Sequence, residues 1–379
     1  MKTPLRRVAA LATVALTTGA LALGTVAPAG AVTAQKRETK AAQWLAKQPA
    51  ENGLVEVFYD YDGSTYSYSD YGVSIDVATA LLELGAGADT VDAVAQAVSE
   101  GVRGYTYADG EVLGYASATA KAAAFLQDAG LSPANAQDDL IVNLKAMLST
   151  DDGIVGRVQD DTGYADTANV FGQAFAAQAL AEDGSRKKAI AATRFLLRQQ
   201  CDEGYFRLNF NDASAKRQGC KSGADDSGAD TDSTAQAVLS LTAIATSGSP
   251  VLVRKVDAAL ADALSWLRTG QKRNGSYGGG SSTESSNTDS TGLAARALTA
   301  LGACTRAQDA AQWITRSQVL GARSGDALAG QNGAIAYDPK TRRTGESDGI
   351  SDTGAYQWQK ATADAAPALA SLTIAGCKG

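Results

Sequence analysis

The chain contains no histidine, and it has only two methionines and four cysteines among its 379 residues. Without histidine, the imidazole ligands of zinc hydrolases and the general base of a Ser-His-Asp triad are both missing. The sequence Cys-Gly-Glu-Gln, which a complement-type thioester requires, is also absent. These three kinds of chemistry are therefore excluded.

Long hydrophobic runs are scarce as well, and the longest one lies at the amino terminus. Residues 8–27 are mostly apolar, follow three basic residues, and precede the small-residue sequence Ala29-Gly-Ala31. This pattern predicts a signal peptide over residues 1–31, cleaved after Ala31. A membrane anchor is the alternative, but threonines and glycines interrupt the run. We therefore expect a secreted, extracellular protein without a stable membrane anchor.

Positive charge is in deficit, since 34 Lys and Arg face 41 Asp and Glu, which gives a net charge of −7. An acidic surface repels phosphate backbones and anionic lipids. Nucleic acid is therefore not an expected partner. The composition gives no reason to expect a cofactor, and we expect a monomer.

What the chain has instead is a repeated unit. A glycine turn recurs six times, and each turn is followed by a small polar residue that opens an Ala/Leu-rich run. Such residues are favoured at helix N-caps, so each unit reads as helix, turn, helix. Six units can close into a ring that leaves no end unit with a bare apolar face. The turns centre on Gly53, Gly104, Gly153, Gly204, Gly275 and Gly333, and the predicted caps are Gly72, Ser117, Asn169, Asp232, Asp289 and Ser351.

Two of the turns share a longer motif, Gln200-x-x-x-Gly204-x-Phe206 and Gln271-x-x-x-Gly275-x-Tyr277. This motif resembles the repeat of the terpenoid cyclase and protein prenyltransferase α/α-toroid superfamily. The signal segment and composition resemble exported actinobacterial members of its prenyltransferase/squalene-oxidase repeat group. The resemblance implies an all-α fold, a single (α/α)6 toroid of six helical hairpins over residues 32–379. Its repeats would span roughly 39–87, 88–131, 132–184, 185–249, 250–303 and 304–377.

The cysteines fit export, because disulfides form in oxidising compartments. Four cysteines allow three pairings. We expect Cys201–Cys220, which would staple the loop of the fourth repeat. We also expect Cys304–Cys377, which would tie the chain end to the start of the sixth repeat.

The sequence Asp230-Thr-Asp232-Ser-Thr-Ala235 resembles the Asp-x-Asp-Asp-Thr-Ala motif of class II terpene cyclases. The resemblance implies that Asp232 is a general acid that protonates an alkene. Ser233 replaces the last aspartate, which weakens the carboxylate cluster. A nearly identical string surrounds Asp289 one repeat later, at a predicted helix start. We therefore favour helix caps at both positions over a catalytic acid at Asp232.

Other acidic residues suggest weaker sites. Asp225 and Asp226, with Asp230 and Asp232, are weak candidates for a calcium site, although no spacing matches a known loop. Loop acids could form a glycosidase pair, but sequence cannot place two of them at the required distance. A zinc site of the protein prenyltransferase kind would need histidine and is excluded. The loop acids considered for sugar cleavage are Glu56, Asp70 and Asp166, and Asp60 and Asp62 could assist calcium.

Five tyrosines crowd the loop over residues 58–71. They could line the mouth of the central cavity and stack on a flat or sugar-like ligand. The Tyr/Ser alternation is also typical of a small β-ribbon covering one end of the ring. The two interpretations are compatible. The tyrosines are Tyr59, Tyr61, Tyr66, Tyr68 and Tyr71.

The leading hypothesis is a secreted, non-catalytic protein that binds a small molecule or a glycan at the loop end of the ring. Helix N-termini converging there give a partly positive pole. Its alternatives are a terpene-cyclase-like enzyme, related to squalene and hopene cyclases and using Asp232, or a cobalamin-carrier-like domain or carbohydrate-active enzyme. The binding candidates are Asn169, Asp230, Asp232, Asp289 and the five tyrosines.

Overall fold

The computed structural model describes residues 29–107, 114–135, 138–244 and 250–373. The predicted signal peptide falls almost wholly outside these ranges. In chain order the elements are α1 (Ala29–Leu45), β1 (Val55–Tyr61), β2 (Ser64–Asp70), α2 (Tyr71–Glu83), α3 (Ala88–Gly101), α4 (Arg103–Thr106), α5 (Ala116–Asp128), α6 (Leu140–Ala146), α7 (Val170–Glu182), α8 (Arg186–Leu197), α9 (Thr231–Ile244), α10 (Pro250–Gly270), α11 (Thr288–Ala300), α12 (Cys304–Ile314), α13 (Pro339–Asp348), α14 (Asp352–Ala365) and a 3-10 helix (Pro367–Thr373).

The helices form two concentric layers. In the described residues α2, α5, α7, α9, α11 and α14 line the centre. Each of these inner helices contacts the next, and α14 contacts α2, so the inner layer closes on itself. The predicted all-α toroid is confirmed. The outer layer consists of α1, α3, α6, α8, α10 and α12.

Small residues allow the inner helices to pack closely. Ala174 and Ala177 on α7 are completely buried between neighbouring helices. Gly292 brings α11 against the backbone of α14, where a Cβ would overlap the Asp364 carbonyl. The inner layer is therefore Ala-rich because helices crowd it on both sides.

In the described residues, glycine turns join five of the six repeats to the next outer helix. Their φ angles are positive, and a Cβ at each would overlap a backbone carbonyl of that helix. In the third repeat Gly156 takes this place, not the predicted Gly153. The predicted turn at Gly104 is wrong, because Gly104 lies within α4 and its nearest neighbours are atoms of the Tyr71 side chain. The sixth turn packs on the first helix, so it closes the ring. The contacts are Gly53 with Ala93 on α3, Gly156 with Ala191 on α8, Gly204 with Asp262 on α10, Gly275 with Asp309 on α12, and Gly333 with Lys40 on α1.

The glutamine of the repeat motif ties the same two elements together. Gln271 Nε2 donates to the carbonyl of Gly275 at 3.0 Å and to that of Arg306 on α12 at 2.9 Å. Gln200 makes the equivalent pair of bonds to its own turn and to α10. Gln318 donates to a carbonyl of α1 at 2.9 Å. The motif therefore encodes the contact between consecutive repeats.

Two predicted segments differ from the structure or lie partly outside it. For the third outer helix the sequence predicts residues 134–149. The helix, α6, spans only Leu140–Ala146, because Asp139 caps it and the chain turns after Met147. Cys201 and Cys220 are bonded, as predicted. Cys304 is also disulfide-bonded, but Cys377 lies outside the described residues, so that pairing stays a prediction.

Within the described ranges, no helix is both long and apolar enough to span a bilayer.

Candidate functional site

A cavity of about 590 Å³ occupies the centre of the toroid. Its apolar lining includes the side chains of Phe125, Phe171 and Phe175. Ionisable side chains line the pole at which the inner helices begin. The volume falls in the range typical of small-molecule sites.

The N-caps of two inner helices are not where the sequence placed them. Asp230 Oδ1 accepts the backbone N–H three residues on at 2.7 Å, and Asn287 Oδ1 accepts the equivalent N–H at 2.8 Å. These residues cap α9 and α11. The predicted caps at Asp232 and Asp289 are therefore wrong by two residues.

Threonine hydroxyls set this register. Thr234 Oγ1 donates to the Asp230 carbonyl at 2.6 Å and accepts the Phe206 N–H at 2.9 Å. Thr291 makes the same bonds to Asn287 and to the N–H of Tyr277. Each hydroxyl fixes its helix start to the preceding glycine turn. The threonine of the terpene-cyclase-like motif has a structural role here.

Of the four remaining predicted caps, two are confirmed and two are wrong. Asn169 accepts the N–H of Phe171 at 3.0 Å, and Ser351 accepts that of Gly354 at 3.1 Å, so both predictions are confirmed. Asp70 rather than Gly72 caps α2. Helix α5 begins at Ala116, whose N–H donates to the Asp160 carboxylate at 2.8 Å, and Ser117 is not its cap.

These bonds predict the effect of removing a cap. Asp230→Ala and Asn287→Ala should each destabilise the fold by about 1 kcal/mol, whereas Asn287→Ser keeps an acceptor and should cost less. Thermal melts of the purified variants measure this. Unchanged stability in both alanine variants would contradict the assignment.

Because Asp230 and Asn287 are the caps, Asp232 and Asp289 lie in the first turns of neighbouring helices, where they line the cavity. Their Oδ1 atoms are buried, and neither has a hydrogen-bond partner in the described part of the chain. Asp364, on α14, lines the same region. Three inner helices thus contribute one carboxyl each to this pole.

Two lysines neutralise other carboxylates nearby. Lys121 Nζ lies 2.7 Å from Asp76, and Lys360 Nζ lies 2.5 Å from Asp364 and 3.5 Å from Asp76. Both cations are therefore already paired. Among the described residues no ion pair reaches the two first-turn aspartates, so a proton is the counterion that costs least.

The pKa values follow from this arrangement. Burial raises the pKa of Asp232 to about 7, and the charges of Asp230 and Asp364 add to the effect. Burial, Asp364 and Asp232 raise the pKa of Asp289 to about 8, partly opposed by Lys360. Asp232 and Asp289 therefore hold protons near neutral pH, which an ordinary aspartate does not.

For Asp76 the balance is reversed. Burial raises its pKa, but the charges of Lys121 and Lys360 outweigh burial and bring it below the ordinary value. Asp76 is therefore the ionised partner of the two lysines. The pole combines this ionised group with the two protonated aspartates.

A glycine-rich loop covers Asp232. The loop runs from Tyr277 to Asn287, whose backbones are joined by a 3.1 Å hydrogen bond. A Cβ at Gly279 would lie 2.6 Å from Asp232 Oδ2, and one at Gly280 would overlap Asp230 Oδ2. The lack of side chains at Gly279 and Gly280 lets the loop backbone come close to the two aspartates, which helps to exclude water from the Asp232 carboxyl. The run Gly278-Gly-Gly280 was the sequence signal for this contact, which sequence reasoning missed.

The opposite end of the cavity is more open. Asp128 and Glu83 are exposed there, and Glu83 forms an ion pair with Arg296. The cavity therefore has a covered pole that carries Asp232 and a solvent-facing mouth at the carboxyl ends of the inner helices.

Other candidate residues lie outside the cavity. Asp226 pairs with Arg217 at 2.6 Å and Asp225 is exposed, so the acidic run does not converge on a cation. Across the described ranges, no cluster of three or more acidic or cysteine side chains is arranged to hold a metal ion. The loop acids have partners of their own: Glu56 with Ser67, Asp70 with the Val73 N–H, Asp166 with Arg157, and Asp60 with Thr65.

The tyrosines separate into two groups. Tyr59, Tyr61, Tyr66 and Tyr68 lie on the hairpin of β1 and β2, so the predicted ribbon is present. Tyr71 is instead the first residue of α2 and stacks on Tyr105, a cavity residue, with 6.0 Å between ring centroids. The four hairpin tyrosines are not among the residues that line the cavity.

Comparison with known proteins gives relatives only in structure. No protein-family model matches the chain, and no curated protein matches it. Apo type II terpene cyclase MstE from Scytonema is 14% identical, with a TM-score of 0.59 over 90% of this chain and 98% of that one. An unsaturated glucuronyl hydrolase specific for heparin is 11% identical, with a TM-score of 0.57 over 89% and 96%.

A further match is the unsaturated glucuronyl hydrolase of Bacillus sp. GL1, 12% identical, with a TM-score of 0.53 over 87% and 96%. Identities this low support the fold and nothing finer. The resemblance to exported actinobacterial repeat proteins gains no support beyond that level. The chain has the α/α-toroid fold of these cyclases and hydrolases.

Proposed function

We propose that the protein is an enzyme that protonates a carbon–carbon double bond of an apolar substrate in the central cavity, with Asp232 as general acid. The observation that carries this proposal is the position of Asp232, which faces the cavity with a raised pKa instead of capping α9. A passive binding site gains little from buried, protonated carboxyls, because they reduce stability at neutral pH. Perturbed carboxyls in a cavity are typical of active sites.

The Asp232 O–H bond breaks and its proton joins one alkene carbon, using the π electron pair. The neighbouring carbon becomes a carbocation, and Asp232 becomes a carboxylate. A pKa of about 7 keeps the acid loaded near neutral pH. The rings of Phe125, Phe171 and Phe175 line the cavity and supply π faces for a cation.

Carboxyls from other helices compensate for the aspartate that the motif lacks at Ser233. Ser233 is completely buried and replaces the last aspartate of the cyclase-like motif. Asp289 and Asp364 approach from neighbouring helices, and Asp364 raises the pKa values of both Asp232 and Asp289. Carboxyls from other helices therefore stand in for the missing one.

Product analysis tests the proposal. The mature protein should convert at least one linear polyene among squalene and all-trans prenyl alcohols into cyclic or hydrated products, detected by gas chromatography and mass spectrometry. Asp232→Asn should lose about 10²–10⁴-fold in rate, the usual contribution of a general acid. The rate should also fall above about pH 7 as Asp232 ionises.

Asp230→Asn is the matched control, because it keeps the cap acceptor two residues away and should retain turnover. Its rate should fall at a lower pH than that of wild type, because the charge of Asp230 helps to raise the pKa of Asp232. An Asp232→Asn variant as active as wild type would overturn the role of Asp232. Failure to convert any linear polyene would overturn the proposed reaction.

A further inference from the structure

The hairpin of β1 and β2 places its tyrosines on one face. Tyr59 pairs with Tyr66 across the strands, and Val57 pairs with Tyr68. Side chains of directly paired residues lie on the same face of a ribbon. Val55 and Val57 bury the base of this face in the toroid. Nearer the turn, the large side chains on this face are all tyrosines.

These rings are exposed and contiguous. Tyr59, Tyr61, Tyr66 and Tyr68 are 46%, 69%, 47% and 49% exposed. Tyr59 stacks on Tyr66 with 5.8 Å between ring centroids and meets Tyr68 edge-on at 6.0 Å. Scattered surface aromatics need no explanation, but a continuous patch of them marks an interaction site.

The ribbon is also held by contacts that do not involve the tyrosines. The base is held by buried Leu54, Val55 and Val57 and by the bond from the Val55 N–H to Ser74 Oγ at 2.8 Å. The tip also has polar cross-strand bonds of its own, such as Thr65 to Asp60 at 2.7 Å. The aromatic side chains are therefore available for a ligand.

Charge and size restrict what the ligand is. Residues 55–70 carry four acidic side chains and no basic one, so the hairpin repels acidic glycans, nucleic acid and anionic lipid. The exposed tip, residues 59–68, is much smaller than the roughly 20–30 residues per side of a stable protein interface. Rigid phenol rings offer flat apolar faces with a hydroxyl at the edge, which suit sugar rings.

We infer that the exposed tyrosine face of the hairpin binds a neutral glycan chain. Tyr59, Tyr66 and Tyr68 form the stacking strip, and Tyr61 extends it at the tip. The face lies at the covered pole, because the Tyr68 hydroxyl donates to Asp70, the N-cap of α2, at 3.3 Å. The inference does not depend on catalysis in the cavity.

Affinity electrophoresis tests it with four neutral polysaccharides: hydroxyethyl cellulose, xylan, mannan and soluble starch. At least one should retard the wild-type protein. The triple variant Tyr59→Ala/Tyr66→Ala/Tyr68→Ala should bind at least about tenfold more weakly, since it loses the whole strip. Its melting temperature should stay near that of wild type because the side chains are exposed.

Tyr164→Ala is the matched control, because Tyr164 is 70% exposed on a loop outside the hairpin. It should bind as wild type does. No retardation by any of the four polysaccharides would overturn the inference, as would equal retardation of the triple variant. Preferential binding to polygalacturonate would contradict the charge argument.

Discussion

At pH 8 the Asp232→Asn variant is expected to unfold at a higher denaturant concentration than the wild-type protein. Burial raises the pKa of Asp232 to about 7 in the folded state, whereas the unfolded value is close to 4. Above pH 7 the folded protein must either ionise this carboxyl inside the cavity or keep it protonated at a pH at which it would ionise in water. Both cost free energy of folding. An amide avoids this penalty, so the stabilisation should be on the order of 2–4 kcal/mol.

The sign of the effect fixes its pH window. Below about pH 4 the carboxyl is protonated in both states, so variant and wild type should be equally stable. The advantage of the amide should grow between about pH 4 and pH 7 and then stay constant. For Asp289→Asn the growth should extend to about pH 8.

The two effects should not add. Asp232 contributes to the raised pKa of Asp289, so removing one charge relieves the other, and the double variant should gain less than the sum. Asp230→Asn is the control, since it keeps the cap and should show no comparable gain. If Asp232 and Asp289 were caps, as the sequence suggested, both Asn variants would leave stability nearly unchanged at every pH.

Loss of ring closure should have the largest effect on stability. Gly333 has a φ of +113°, and a Cβ there would overlap the Lys40 carbonyl of α1. Gly333→Ala should therefore push the sixth turn away from the first helix and cost at least about 3 kcal/mol. Gly321→Ala is the control, because φ is +82° but the surrounding space is empty, so it should cost only about 1–2 kcal/mol.

Deleting residues 304–379 tests the same property more severely. In a closed ring this removes neighbours from both ends of the remaining chain and should unfold the whole domain. In an open solenoid the other repeats would survive, because each contacts only its neighbours. Circular dichroism and melting of the truncated protein measure the outcome. A cooperative transition with near-native helix content would show that the ring is not closed.

The repeat could be predicted from the sequence because it depends on local signals. A glycine followed by an Ala-rich run recurs in every unit, and a glutamine precedes the glycine in several of them. These local signals predict helix, turn and ring. The register of the caps was harder, because Asp230 and Asp232 are both residue types that cap helices. The threonine one turn later, Thr234 or Thr291, decides between them, and its bond to the preceding turn is visible only in the fold.

The cavity residues were missed for a different reason. Asp76 and Lys121 are isolated charges in otherwise apolar or Ala-rich runs, whereas Lys360 has Asp364 four residues later. That isolation was a usable signal, because a lone charge on a crowded inner helix needs a buried partner. The pair of Lys360 with Asp364 is local, at i,i+4 spacing on one helix. The pairing of both lysines with Asp76 depends on how the inner helices are arranged around the ring, and no local pattern encodes it.

The most direct test of the account is to titrate the aspartate carboxyls by ¹³C NMR in the intact protein. We expect three side-chain signals with raised midpoints. Asp232 should titrate near pH 7 and Asp289 near pH 8. Asp128 should also titrate near pH 7, because desolvation and the charges of Glu182 and Glu83 raise its pKa. One of the two signals near pH 7 should disappear in Asp232→Asn, and the signal near pH 8 should disappear in Asp289→Asn. Asp230→Asn should keep all three signals and lower only the midpoint of Asp232, because it removes a neighbouring charge. A spectrum in which every aspartate titrates below about pH 5 would show that Asp232 is ionised at neutral pH and would contradict its role as a general acid.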